Sequence, residues 1–86
     1  MLLKIYNNPV LKTAVATKQG DVIRFRENYG TTPIIAIFER CNIAANGVAT
    51  EIYIQEIGTR QQRKTYDVNK IEDVTFEVIG EVATWL

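Results

Sequence analysis

Apolar residues in this chain recur at every second position in short runs, and the runs are cut by Gly, Asn, Asp and Pro. A period of two is the repeat of a β-strand with one face buried, whereas a helix repeats about every 3.6 residues. Helical spacing is hard to find, so the chain is restricted to β-architecture almost throughout.

The runs can be placed one by one. "LLKIY" (2–6) sets Leu3 and Ile5 on one side before "NNP" interrupts it, and "VLKTAVA" (10–16) alternates Leu11, Thr13 and Val15 against Val10, Lys12 and Ala14. "KQGD" reads as a tight turn into "DVIRFRE", where Ile23 and Phe25 oppose Arg24 and Arg26. "IIAIF" is apolar on both parities, the mark of a mid-sheet strand covered on two sides. The Asn-Gly pair of "AANG" predicts a hairpin into "VATEIYIQE", with Val48, Thr50, Ile52 and Ile54 on one face. "RKTYDV" resumes a strand after Gly58, and "DVTFEVIGEVATWL" places Val74, Phe76, Val78, Val82 and Leu86 together, the alternation continuing across Gly80. A glycine inside a strand predicts a bend, a bulge or the close approach of another backbone.

The predicted fold is an all-β single domain spanning residues 1–86, a small barrel or compact sandwich of about seven mostly antiparallel strands. "DVNKIED" (67–73) has room for one short helical turn. The 86 residues are near the size at which one core is barely sufficient, which favours association with a second copy. With 47% apolar and 23% charged residues the composition is that of a globular domain. No apolar run approaches the roughly 20 residues of a membrane span, and "MLLKIYNN" lacks the pattern of a signal peptide, so the expectation is a cytoplasmic protein with no membrane contact. A lone cysteine, Cys41, fits a reducing compartment.

The side chains that are missing exclude most catalysis. There is no serine and no histidine, so Ser-His-Asp, Cys-His and Ser-Lys arrangements and any imidazole base are ruled out. Arg40 beside Cys41 favours a thiolate, but a cysteine without an imidazole acceptor reads as structural. One cysteine cannot build a zinc site, and "DVNKIED" lacks the glycine of a calcium loop. Glu72, Asp73, Glu77 and Glu81, the densest carboxylates, read as a solvated acidic face. The expectation is a non-enzyme with no catalytic residues, no metal and no cofactor.

Two binding readings remain. Ten cations balance ten anions, but all ten cations lie in residues 1–70, while 71–86 carries four anions and no cation. If that acidic tail joins the same sheet it neutralises the basic body at close range. The nucleic-acid reading rests on Arg24, Arg26, Arg60, Arg63 and Lys64 as phosphate contacts with Tyr29 and Tyr66 as stacking rings. It is the alternative, because the chain has zero net charge and no nucleic-acid-binding fingerprint. The leading reading is a protein-interaction or assembly module, self-associating or bound to another protein, with Trp85, Leu86, Val82 and Tyr53 as interface candidates. Its class is that of accessory proteins of bacteria and their phages.

Overall fold

The two N-terminal runs form one strand rather than two, which gives six strands among the described residues. The computed structural model describes residues 2–57, 63–71 and 75–84. Its strands are β1 (Leu2–Thr13), β2 (Asp21–Phe25), β3 (Ile34–Ile43), β4 (Ala49–Glu56), β5 (Arg63–Asp67) and β6 (Thr75–Thr84), with a 3-10 turn over Val68–Lys70. β1 survives "NNP" because its partner tolerates an irregularity there: Ile5 faces Gly80 and Val10 faces Val78, so Tyr6 to Pro9 lie opposite the single residue Ile79. Proline has no N–H to give to a ladder, and such a bulge at a sheet edge is where it fits.

All pairings are antiparallel, in the order β1-β6-β2-β3-β4-β5. β2 to β5 run as a meander, the 3-10 turn follows, and β6 returns to lie beside β2, with β1 added on its other side. The sheet is not closed, and β1 and β5 are its edges. The short turn expected within 67–73 forms over Val68–Lys70, and the Asp67 side chain caps it by accepting from the Asn69 N–H at 2.9 Å.

Residues paired across a ladder project to the same face. The inner face collects Ile23, Phe25, Ala36, Phe38, Ile52, Ile54, Phe76 and Val78, all buried, with Ala14, Val68 and Ile71 packed over them. Phe76 is the hub, 5.5 Å from Phe25 and 6.3 Å from Phe38 between ring centres. Val22 and Ile37, opposite each other on the other face, are buried as well, so "IIAIF" lies mid-sheet and is covered on both sides over Ala36–Phe38, while Ile35 is exposed.

Bulges correct the predicted parities. Val22 faces Gly80 and Ile23 faces Val78, leaving Ile79 as an extra residue, so the alternation does not continue across Gly80 and Val82 leaves the face of Phe76 and Val78. In β4, Asn42 faces Glu51 and Ile43 faces Ala49; Thr50 is the extra residue, and Ala49 rather than Val48 turns inward. "KQGD" turns as predicted, with the Asp21 N–H donating to the Lys18 carbonyl and the Asp21 carboxylate accepting the Lys18 N–H. At "AANG" only Gly47 has positive φ, 83°, so the hairpin is not the two-residue type with both Asn and Gly left-handed. Gly80 meets two of its three predicted roles, a bulge beside it and a backbone against it: a Cβ there would overlap the Lys4 carbonyl oxygen.

Candidate functional site

The acidic tail enters the sheet interior as β6, and three of the candidate cations have carboxylate partners. Arg24 is paired with Glu77, Nη2 to Oε2 at 2.6 Å, across adjacent positions of β2 and β6. Arg63 on β5 reaches Glu39 at 3.2 Å and Lys64 reaches Glu56 at 3.2 Å. Arg26 is exposed beyond the end of β2, while Arg60 lies outside the described residues. Arg24 and Arg26 stand apart from Arg63 and Lys64, with β3 and β4 between their strands, so these cations form no single stripe.

Arg40, which the sequence pattern did not single out, joins the second group. Phe38 faces Ile54 and Arg40 faces Tyr53, so Glu39 is bulged and the guanidinium lands on the ring of Tyr53, 3.8 Å from its centre. Asn42 locks the pair, accepting from Arg40 at 2.9 Å and lying 3.1 Å from both the Tyr53 hydroxyl and Glu51. The groove here, about 360 Å³, is lined by Glu39, Arg40, Tyr53, Arg63 and Lys64. Its cations meet Glu39, Glu51 and Glu56 within one or two side chains, so it is close to neutral.

Neither tyrosine partnered with a carboxylate presents a free ring. Tyr66 is half-buried, edge-on to Phe25 at 5.4 Å between ring centres, and its hydroxyl donates to Glu56 at 3.3 Å. Burial first, then the charges of Glu56 and Glu27, push its pKa from 10.0 up to about 12. Tyr6, packed against the core, is also raised, by burial and then by Glu81 and Asp21. The fold therefore favours the neutral phenol. For Tyr66 that contribution is complete below pH 10.0 and is lost as the pH rises towards about 12. An alkaline absorbance titration should show a late tyrosinate step that coincides with loss of stability and is reduced by one tyrosine in Tyr66→Phe. Ionisation of all tyrosines in one step near the ordinary value would contradict the assignment.

Tyr29 is in the opposite situation. Its side chain is fully exposed, at 105%, in the loop between β2 and β3. On the outer face is a trough of about 500 Å³ bordered by Leu11, Arg24, Phe25, Arg26, Pro33 and Glu77.

Of the interface candidates, Trp85 and Leu86 lie outside the described residues. Val82 is half-buried opposite Leu3, and its N–H donates to the Gly20 carbonyl at 2.8 Å. Tyr53 is half-buried beneath Arg40. Cys41 packs against the core with its thiol 3.7 Å from the Ala14 carbonyl, the contact of a structural cysteine. Among the described residues no three His, Cys, Asp or Glu side chains are grouped to hold a metal ion, and no helix is long and apolar enough to cross a membrane.

The surface that sequence reasoning missed is β1. Of nine exposed large hydrophobic residues described, four are on this strand: Leu2 (66%), Ile5 (62%), Val10 (48%) and Leu11 (67%). The signal was present in "LL" and "VL", adjacent apolar residues that a strand must send to opposite faces. β5, the other edge, is five residues long and carries ion-paired Arg63 and Lys64. Short length and charge are how natural sheets close an edge to partners. Compared with known protein families, curated proteins and solved structures, the chain matches none.

Proposed function

We propose that this chain is a non-catalytic assembly module that associates with a second copy of itself through β1 and the adjoining outer face. The observation that carries the reading is the difference between the edges: β5 is short and charged, whereas β1 is 12 residues long with four large apolar side chains in solvent. Apolar area removed from water contributes about 25 cal/mol per Å², so these side chains favour a partner of like character. A strand that meets its own copy about a two-fold axis presents the same apolar surface on both sides, the geometry of the commonest soluble oligomers. The bend at Tyr6 to Pro9 and the missing proline N–H interrupt the edge, so the contact is side-chain packing rather than one continuous ladder. Val82, beside Leu3, extends the same surface onto β6.

Nucleic acid is the competing occupant. Three of its described candidate cations, Arg24, Arg63 and Lys64, already have carboxylates, and displacing those reduces the counterion release that drives phosphate binding.

Light scattering across a concentration series tests the reading. The wild-type chain should exceed its 9.8 kDa monomer mass, and Ile5→Lys with Leu11→Lys should return it to that mass without loss of fold. A wild-type monomer persisting to about 1 mM, where association is worth only about 4 kcal/mol, would sink the proposal. Steeply salt-dependent binding of a fluorescent single-stranded oligonucleotide by that monomer would replace it with the nucleic-acid reading.

A further inference from the structure

We propose that Tyr29 is an interface anchor, its ring seated in the Leu11–Arg24–Arg26–Pro33 trough of a second copy. The inference rests on the self-association reading and names the contact that would fix its geometry.

Three features of the structure carry it. The first is conformational. Tyr29 has φ 64°, the left-handed region that side chains other than Asn, Asp and Gly seldom adopt. In "NYG" the residues on either side, Asn28 and Gly30, are the ones suited to that conformation, yet the tyrosine holds it. An unfavourable backbone state persists only where the surroundings enforce it, and such states collect at binding sites.

The second is the enforcement. The Asn28 N–H donates to the Lys70 carbonyl at 2.7 Å, and the Asn28 side-chain amide donates to the Asn69 carbonyl at 3.0 Å. On the other side the Gly30 N–H donates to the Glu27 carbonyl at 2.9 Å, and Glu27 itself bridges to Ile71. The loop is thus fastened to the 3-10 turn and the residue after it through Glu27 and Asn28, immediately before a fully exposed ring, and Gly30 is tied back to Glu27. A held, exposed aromatic loses little freedom on docking, which is why Tyr is enriched among residues that dominate interfaces.

The third is the trough. Its volume of about 500 Å³ accommodates an aromatic ring, its rim is apolar at Leu11 and Pro33, and two arginines, Arg24 and Arg26, border it where a ring face or a phenol oxygen would dock. Leu11 belongs equally to the exposed stretch of β1, and Ile35, 39% exposed, continues the outer-face row through its pairing with Arg24, so the trough and the Leu11 end of the apolar edge share one surface. The Tyr29 loop rises from the trough's own rim, between Arg26 and Pro33. A two-fold axis beside it brings each ring to the other copy's trough, so a single rotation forms both contacts and the assembly closes as a dimer.

Tyr29→Asn is the decisive variant, because asparagine suits the left-handed turn and removes the ring. Its denaturant midpoint at monomeric concentration should equal or exceed that of the wild type, while its dimer dissociation constant should rise at least tenfold by light scattering and sedimentation. Tyr29→Phe, which keeps the ring, should stay within a few-fold of wild type. A benzophenone amino acid in place of Tyr29, in a mixture of normal and heavy-isotope chains, should cross-link to peptides containing Leu11 or Arg26 of the other copy. An associating wild type whose dissociation constant is unmoved by Tyr29→Asn, or cross-links that avoid the trough, would overturn the anchor while leaving self-association standing. A wild type that stays monomeric overturns both.

Discussion

Phe76→Ala should destabilise the chain by about 3–5 kcal/mol, the usual cost of removing a buried phenylalanine ring. Small domains have about 5–15 kcal/mol in total, so this one change uses a large share of the margin. Phe76 is 1% exposed, and its ring is the common neighbour of Phe25 and Phe38. Its loss removes two aromatic contacts and leaves a cavity between β2, β3 and β6. Urea denaturation should show a fall in midpoint with little change in slope. A loss below about 1 kcal/mol would mean that the neighbouring rings collapse into the space, which the close packing of this cluster argues against.

Gly80→Ala should destabilise despite being the smallest possible enlargement. In an open strand, replacing glycine by alanine stabilises by about 0.5–1 kcal/mol because the unfolded chain loses freedom. Here the added carbon overlaps the Lys4 carbonyl oxygen and lies 3.2 Å from both Cα and Cδ1 of Ile5. The first neighbour is backbone and cannot rotate aside, so relief requires β1 to move off β6. Overpacking costs about 1–3 kcal/mol, which exceeds the entropic gain and fixes the sign. Hydrogen exchange should locate the damage: amides of the Leu2 to Ile5 ladder should lose protection while those of β3 and β4 keep theirs. A variant as stable as wild type, with β1 still protected, would contradict the close approach.

Most of the fold was legible because period-two patterning is local. Ile23 and Phe25, Ile52 and Ile54, and Phe76 and Val78 are inward where alternation puts them, and the turns at Gly20 and Gly47 carry the residues their backbone requires. Reading failed where strands carry an extra residue. The bulges at Ile79, Thr50 and Glu39 exist to fit one strand to another, and nothing in the immediate sequence of Thr50 or Glu39 announces them. Only Gly80 hinted at its bulge. The parity errors at Val48 and Val82, and the surprise of Arg40 stacked on Tyr53, follow from those single residues.

The candidate sites divide in the same way. The outer-face placement of Arg24 follows from alternation, but the carboxylate that answers it is 53 residues away and depends on β6 entering between β1 and β2. The charge asymmetry showed that the tail would neutralise the body if it joined the same sheet; β6 does join it, and Arg24–Glu77 is that effect at one pair. The openness of β1 was illegible for a topological reason: the sequence of a strand does not say whether one neighbour or two lie beside it.

The position of β6 also orders events during folding. β1 and β2 run side by side only through a strand that comes some fifty residues later in the chain. During synthesis the four-strand meander is made before the segment that joins it to β1, and until then Leu2, Leu3 and Ile5 have no ladder to enter. Closing such a long loop carries its entropic cost before any contact compensates, so arrival of the last strand is the slow, committing step. For that interval the N-terminal strand is a free apolar segment, and the bend and proline at its centre guard a nascent chain against pairing with its neighbours.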